Sequence, residues 1–404
     1  MVIKGAMLCD ANGEFRGDVR FKEGKITEVS RSLTLESGEE VFEANGLVLM
    51  PGCIDLYSQI ASISRENLIE LSQKAATGGI TQIALMGGIY NALGLELISA
   101  LKDSLKAEIL GIVDAISADK NALNELAILV KKGAKGFFVN SSSCGNLLRR
   151  VCEFSLMFNK PIFFNCEDSN LSANGVMNDG ELSARLGLPG ILPLSETKEV
   201  AQISEVARFM GIKAVFLAIA TKRSVEIIKE ANIALNSENL SVQTSIHHLL
   251  LTEDLCNNYN TAAKIKPPLK SESTRASLLN SVKNGEISLI TALQSQKSLA
   301  QKDLSFEEAA FGVDMVEHFL PICYTLLVKN MRLGLKDLSR ILSFNPACVL
   351  GMESKGLIAP GFDADFVIFN PKATQIIENA DSPYYDSIFS GSVEQVFVSG
   401  KRVI

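Results

Sequence analysis

Three histidines, His247, His248 and His318, are all the imidazole that this 404-residue chain can bring to a reaction. A catalytic zinc ion takes three protein ligands, most often imidazoles. Neighbours on a strand point to opposite faces, so His247 and His248, if on a strand, cannot both converge with His318. Carboxylates and thiols are the other candidates. Cys53 and Asp55 share one face of an apolar run, and Asn165 shares a face with Glu167, which turns Cys166 the other way. A zinc site drawn from Cys53, Asp55, Cys166, Glu167 and Asp168 is therefore out of phase. Asp55 and Glu167 could divide acid-base work without a metal, but no cation is readable beside them to hold an anionic substrate. The simpler reading of each is a carboxylate accepting backbone hydrogen bonds. No histidine falls beside Cys53, Cys144 or Cys166, so a thiol nucleophile lacks its base. The eight cysteines contain no CxxC pair, and packing thiols account for them.

Positioning such residues takes a scaffold, and the apolar runs supply one. Eight runs of strand length follow Pro51-Gly52: Cys53 to Tyr57, Thr81 to Met86, Glu108 to Val113, Lys135 to Val139, Pro161 to Asn165, Lys213 to Ile219, Leu240 to Ser245 and Ile287 to Thr291. Helical periodicity lies between them, at Glu66 to Ala76, Asn121 to Lys132, Asn146 to Phe158, Thr197 to Met210, Arg223 to Ala231 and Glu272 to Lys283. The alternation predicts an α/β fold, a (β/α)8 TIM barrel over 51–354. A doubly wound open sheet is the other arrangement with this pattern. Short β-rich runs at both ends, 1–50 and 355–404, predict a small composite β-sandwich domain built from the two termini.

Composition narrows the classes. Apolar residues make up 47% and charged ones 21%, as expected of a folded protein. A net charge of −7 gives no basic surface for nucleic acid. The opening MVIKGAMLCD reads as a strand, and no run of about twenty apolar residues follows, so no membrane association and a cytoplasmic location are expected. The Gly78-Gly79 and Gly87-Gly88 pairs lack phosphate-loop spacing and read as turns.

Six segments in order carry a resemblance. They are Met50-Pro51-Gly52-Cys53-Ile54-Asp55-Leu56, Ala75 to Thr81, Cys166-Glu167-Asp168 with Leu182 to Gly190 and Glu196, His247 to Thr252 with Lys264 to Leu269 and Arg275, Asn345-Pro346-Ala347, and Gly361 to Val367. Together they resemble dihydroorotase and its dihydropyrimidinase and allantoinase relatives, the cyclic amidohydrolases.

The resemblance implies one or two zinc ions at the carboxyl ends of the strands, activating water against an amide carbonyl. It also implies where ligands should stand, and here those positions differ. Tyr57 and Gln59 occupy the strand-one histidine pair, Ala61 the substrate-binding arginine and Gly88 the strand-two asparagine. Asn140 lies near the bridging lysine or carboxylate of strand four, a position bracketed by Val139 to Ser141. Asn165 and Ala218 fall on the histidines of strands five and six, and Ala292 on the aspartate that takes the proton. From these replacements the chain is expected to be a catalytically silent homologue without a cofactor. Its implied role is that of a partner of aspartate carbamoyltransferase in pyrimidine biosynthesis, in a homo-oligomer or hetero-complex. Asp55, Glu167 and Gln296, with Tyr57, Gln59 and Asn165, would line what pocket remains. The alternatives are an active cyclic amidohydrolase with an atypical metal site, or a small-metabolite binding module.

Overall fold

In the computed structural model, which describes residues 1–140 and 145–404, parallel strands close into a barrel. Its strands one to seven are Cys53–Gln59, Ile80–Met86, Glu108–Asp114, Gly136–Asn140, Ile162–Asn165, Ala214–Leu217 and Leu240–Ser245. The eighth is in two pieces: Leu289–Thr291 pairs with strand seven, and Gln294–Ser295 pairs with strand one. Leu293, at φ +49°, makes the bend between them. The ring is closed by this kink, and the barrel expected from the sequence is the fold observed.

Alternation along each strand decides what faces the axis. Ile54, Leu56, Ala84, Met86, Leu110, Ile112, Phe138, Phe163, Val215, Leu217 and Leu289 pack together inside the barrel. Their neighbours Ile83, Leu85, Phe137, Phe164 and Phe216 join the larger core between strands and helices. The interior is thus filled with side chains, as a barrel of this size requires. Side chains at the carboxyl ends of the strands form the open mouth.

Glu272–Lys283 is helical as its periodicity predicts, and Arg65–Thr77, Leu194–Met210 and Lys222–Leu235 extend slightly beyond theirs. One expectation shortens. Helix begins only at Leu126, because Asp119 accepts from the backbone N–H of Asn121 and the Ser117 hydroxyl, and that turn uses up the residues before it. Ser141 and Cys144 lie outside the described residues.

Both termini enter one eight-stranded sheet. Phe366–Ile376 pairs antiparallel with Val48–Pro51, which runs parallel to Val2–Asp10. Ile3, Leu8, Val19, Phe21, Leu49, Phe366 and Phe397 form its own core. Asp365 fastens this β-rich unit beneath the barrel: its carboxylate accepts from Gln82 Nε2 at 2.8 Å and from Lys355 Nζ. Among the described residues no helix is long and apolar enough to cross a membrane.

Candidate functional site

Asn140 and Asn165 end adjacent strands in register, and the Asn165 amide donates to Asn140 Oδ1 at 2.8 Å. Continuing the same row, Asn165 stands opposite Leu217, and the next pair beyond Phe216 and Val242 brings Gln243 alongside. Gln243 is fully buried, and neither atom of its carboxamide has a hydrogen-bond partner. Across the ring, Tyr57 and Gln59 are half-buried at the end of strand one. A Cβ placed on Gly87 would stand 3.4 Å from Gln59 Nε2, so the absence of a side chain at Gly87 leaves the amide its space. The mouth is therefore lined largely by neutral carboxamides.

Glu167 is the acidic group at this mouth. Lys266, on the segment after strand seven, places its ammonium 2.8 Å from the Glu167 carboxylate. This is the cation that the sequence did not reveal. Asp55 is placed differently. It is fully buried on the face shared with Cys53, and its carboxylate accepts from the backbone N–H of Ala292 at 3.0 Å and of Tyr57 at 3.1 Å. Burial pushes its carboxyl up to about 7, partly offset by the Thr291 hydroxyl and those two N–H groups. Among the described residues no hydrogen bond joins Asp55 to Glu167.

The other positions named from sequence scatter. Ala61 and Gly88 are exposed, while Ala218 and Ala292 are buried with no functional group. Gln296 is exposed and donates to Glu70 on the first barrel helix, away from Glu167. Asp168 caps the short helix Ser169–Ser172 and pairs with Lys198. Asp114, which sequence reading passed over, is a buried carboxyl at the end of strand three. It accepts from the Ile89 N–H at 2.9 Å, and burial raises it to about 6. Its signal was available, as the one acid closing the apolar run from Ile109.

His247 and His248 are not on a strand but on the helical turn Ile246–Leu250, capped by the Ser245 hydroxyl. His247 Nε2 lies 2.9 Å from the Ala292 carbonyl and Nδ1 2.8 Å from the Tyr384 hydroxyl. His248 Nε2 lies 3.1 Å from the Pro267 carbonyl and Nδ1 2.7 Å from the Ser245 hydroxyl. A carbonyl only accepts, so each Nε2 carries the proton and each Nδ1 lone pair takes a hydroxyl hydrogen. Burial lowers the two imidazoles to about 4 and about 3, which keeps them neutral. Neither has a lone pair to offer a metal. Among the described residues, no three His, Cys, Asp or Glu side chains gather as a metal site. The zinc implied by the resemblance, held by imidazoles, does not fit this set, and no catalytic step is assigned to it.

Comparison with known proteins places the chain. A family model described as "Amidohydrolase family" matches residues 191–403, and one described as "Dihydro-orotase-like" matches 46–224. A protein named dihydroorotase from Syntrophus aciditrophicus is 28% identical over 426 residues, covering 100% of this chain and 99% of its own. Another of that name, from Ehrlichia canis, is 31% identical over 385 residues, covering 90% and 84%. The solved structure of D-hydantoinase (dihydropyrimidinase) from Thermus sp. matches with a TM-score of 0.85 at 18% identity, over 99% of this chain and 94% of that one, and shares the fold.

These matches correct the expectation of a silent protein supporting aspartate carbamoyltransferase. Relatives named as enzymes match this chain over 90–100% of its length, and nothing in the matches sets it apart from them. The alternative of an active cyclic amidohydrolase with an atypical metal site is favoured instead. The expectation of no cofactor falls with the first, since both rested on the same replaced positions and the chain matches the amidohydrolase family and relatives named as enzymes; the mismatch concerns the ligand set only. The chain belongs to the amidohydrolase family, in its dihydroorotase-like branch.

Proposed function

We propose that this chain opens and closes a cyclic amide ring of the dihydroorotate type at the carboxyl end of its barrel, through an atypical centre. The observation that carries the reading is the match, over 90–100% of the chain, to proteins named dihydroorotase. The lining of the mouth supports it, since carboxamides offer both a donor and an acceptor to a ring whose edge alternates N–H and C=O.

Glu167 is the group assigned to proton transfer. Lys266, its ammonium 2.8 Å from the carboxylate, holds Glu167 in place at the mouth, where a general base must stand. In ring opening, a water beside Glu167 gives its proton to the carboxylate as the water oxygen bonds to the ring carbonyl carbon. The C–N bond then breaks, and the proton passes from Glu167 to the departing ring nitrogen. The second water proton leaves as the new carboxylic acid ionises. Asn165, oriented by its bond to Asn140, keeps Oδ1 turned to accept a ring N–H.

The test is to incubate the purified chain, with and without added zinc, with dihydroorotate, dihydrouracil and hydantoin, and follow ring opening by NMR. Appearance of the carbamoyl product from at least one ring supports the reading. Intact rings in every incubation overturn it.

A further inference from the structure

At the end of the barrel opposite the mouth, the turns 102–108, 131–135, 159–161 and 211–213 lead into strands three to six. They carry seven lysines and no arginine, against the two acids Asp103 and Glu108. The net charge of −7 thus averages over an uneven distribution. Lys132 pairs with Glu96 at 2.8 Å, and Glu108 lies 3.9 Å from Lys355. Among the described residues, Lys102, Lys106, Lys131, Lys135, Lys160 and Lys213 enter no ion pair. Burial, with repulsion from Lys135, lowers the Lys160 pKa, so neighbouring lysines feel one another's charge.

Large apolar side chains stand beside these lysines. Helices Gly145–Phe158, Leu194–Met210 and Lys222–Leu235 run back to this end, and their last turns bare Met157 at 71%, Phe209 at 86% and Ile233 at 70% exposure. Met157 lies three residues before Lys160, and Phe209 four before Lys213. Pro161, Lys213 and Ile233 border one groove, which joins the basic and apolar residues into a single face. Cations interleaved with exposed apolar groups fit a charged lipid surface, where the former meet phosphates and the latter enter the headgroup layer. We propose that this face docks on an anionic bilayer, with Met157, Phe209 and Ile233 inserted and Lys135, Lys160 and Lys213 against lipid phosphates. The choice of cation argues against a protein partner, because protein interfaces favour Arg and deplete Lys. A nucleic-acid backbone would meet the lysines but leave the three apolar groups in water. With this end on the bilayer, the mouth stays open to solvent.

The test is co-sedimentation of the full chain with vesicles of phosphatidylcholine, either alone or with about one third phosphatidylglycerol. The anionic vesicles are expected to bind at least about tenfold more tightly at about 0.1 M salt, and to lose most of that excess at about 0.5 M. K135Q/K160Q/K213Q is expected to lose about tenfold on anionic vesicles and F209S several-fold, each with an unchanged melting temperature. The comparison of lipids and salts in the wild type stands whether or not the variants fold. Equal binding to both vesicles, no binding to either, or undiminished binding by either folded variant overturns the proposal. So does binding to a DNA duplex at the same salt that matches the anionic vesicles and is indifferent to F209S, which would mark a nucleic-acid face.

Discussion

Lys266 and Glu167 meet at 2.8 Å across the barrel mouth, tying the segment after strand seven to the end of strand five. The pair is partly exposed, at 43% and 20%, so its contribution to stability is about 0–1 kcal/mol. Its removal should therefore separate function from folding. E167Q is expected to unfold within about 1 kcal/mol of the wild type in urea. A loss of several kcal/mol would make Glu167 a structural residue.

Asp55 should impose a pH dependence on stability. Its carboxyl stands near 7 in the folded chain against an ordinary value of 3.8, so the folded state holds a proton that the unfolded chain releases between those values. The contribution is fully present below 3.8 and is lost as pH rises through about 7. Urea unfolding across this window should show the wild type losing a few kcal/mol more than D55N. Identical slopes would mean that Asp55 is ionised throughout.

The two adjacent histidines are expected to behave as structural groups. With folded values near 4 and 3, their neutral forms contribute stability above about pH 6.5, and it is lost as pH falls through those folded values. Their ring signals in NMR should not titrate between about pH 5.5 and 8. H247A should cost about 1–3 kcal/mol by leaving Tyr384 and Ala292 without a partner, and should leave any bound metal unchanged. Loss of metal in H247A would identify a ligand.

Removing Asp365 should loosen the β-rich unit from the barrel. D365A leaves Lys355, 13% exposed at its side chain, with Asp363 at 3.2 Å as its remaining near partner and takes the acceptor from Gln82. A cost of about 1–3 kcal/mol is expected in urea unfolding. Neutral behaviour would show that Asp365 does not fasten the sheet to the barrel.

The barrel was readable because its strands are buried on both faces and appear as unbroken apolar runs such as Ile80–Met86. Ala92–Ala100 escaped notice because Ala, Leu and Ile occur around most of that helix, which blurs its period. Tyr57, Gln59 and Asn165 could be placed at the mouth since they close runs of known phase. The partnership of Glu167 with Lys266 could not, because it exists only once the ring has closed and the two segments face each other. His247 and His248 misled for a local reason: Ser245 caps a turn just where the apolar run suggests that strand continues.

Ring closure of carbamoyl aspartate to dihydroorotate, measured side by side for the wild type and E167Q, tests the central claim most directly. The account predicts turnover by the wild type and a loss of about 100-fold or more in kcat for E167Q, the scale of a missing general base. No closure above the uncatalysed rate, or equal kcat in both proteins, would contradict it.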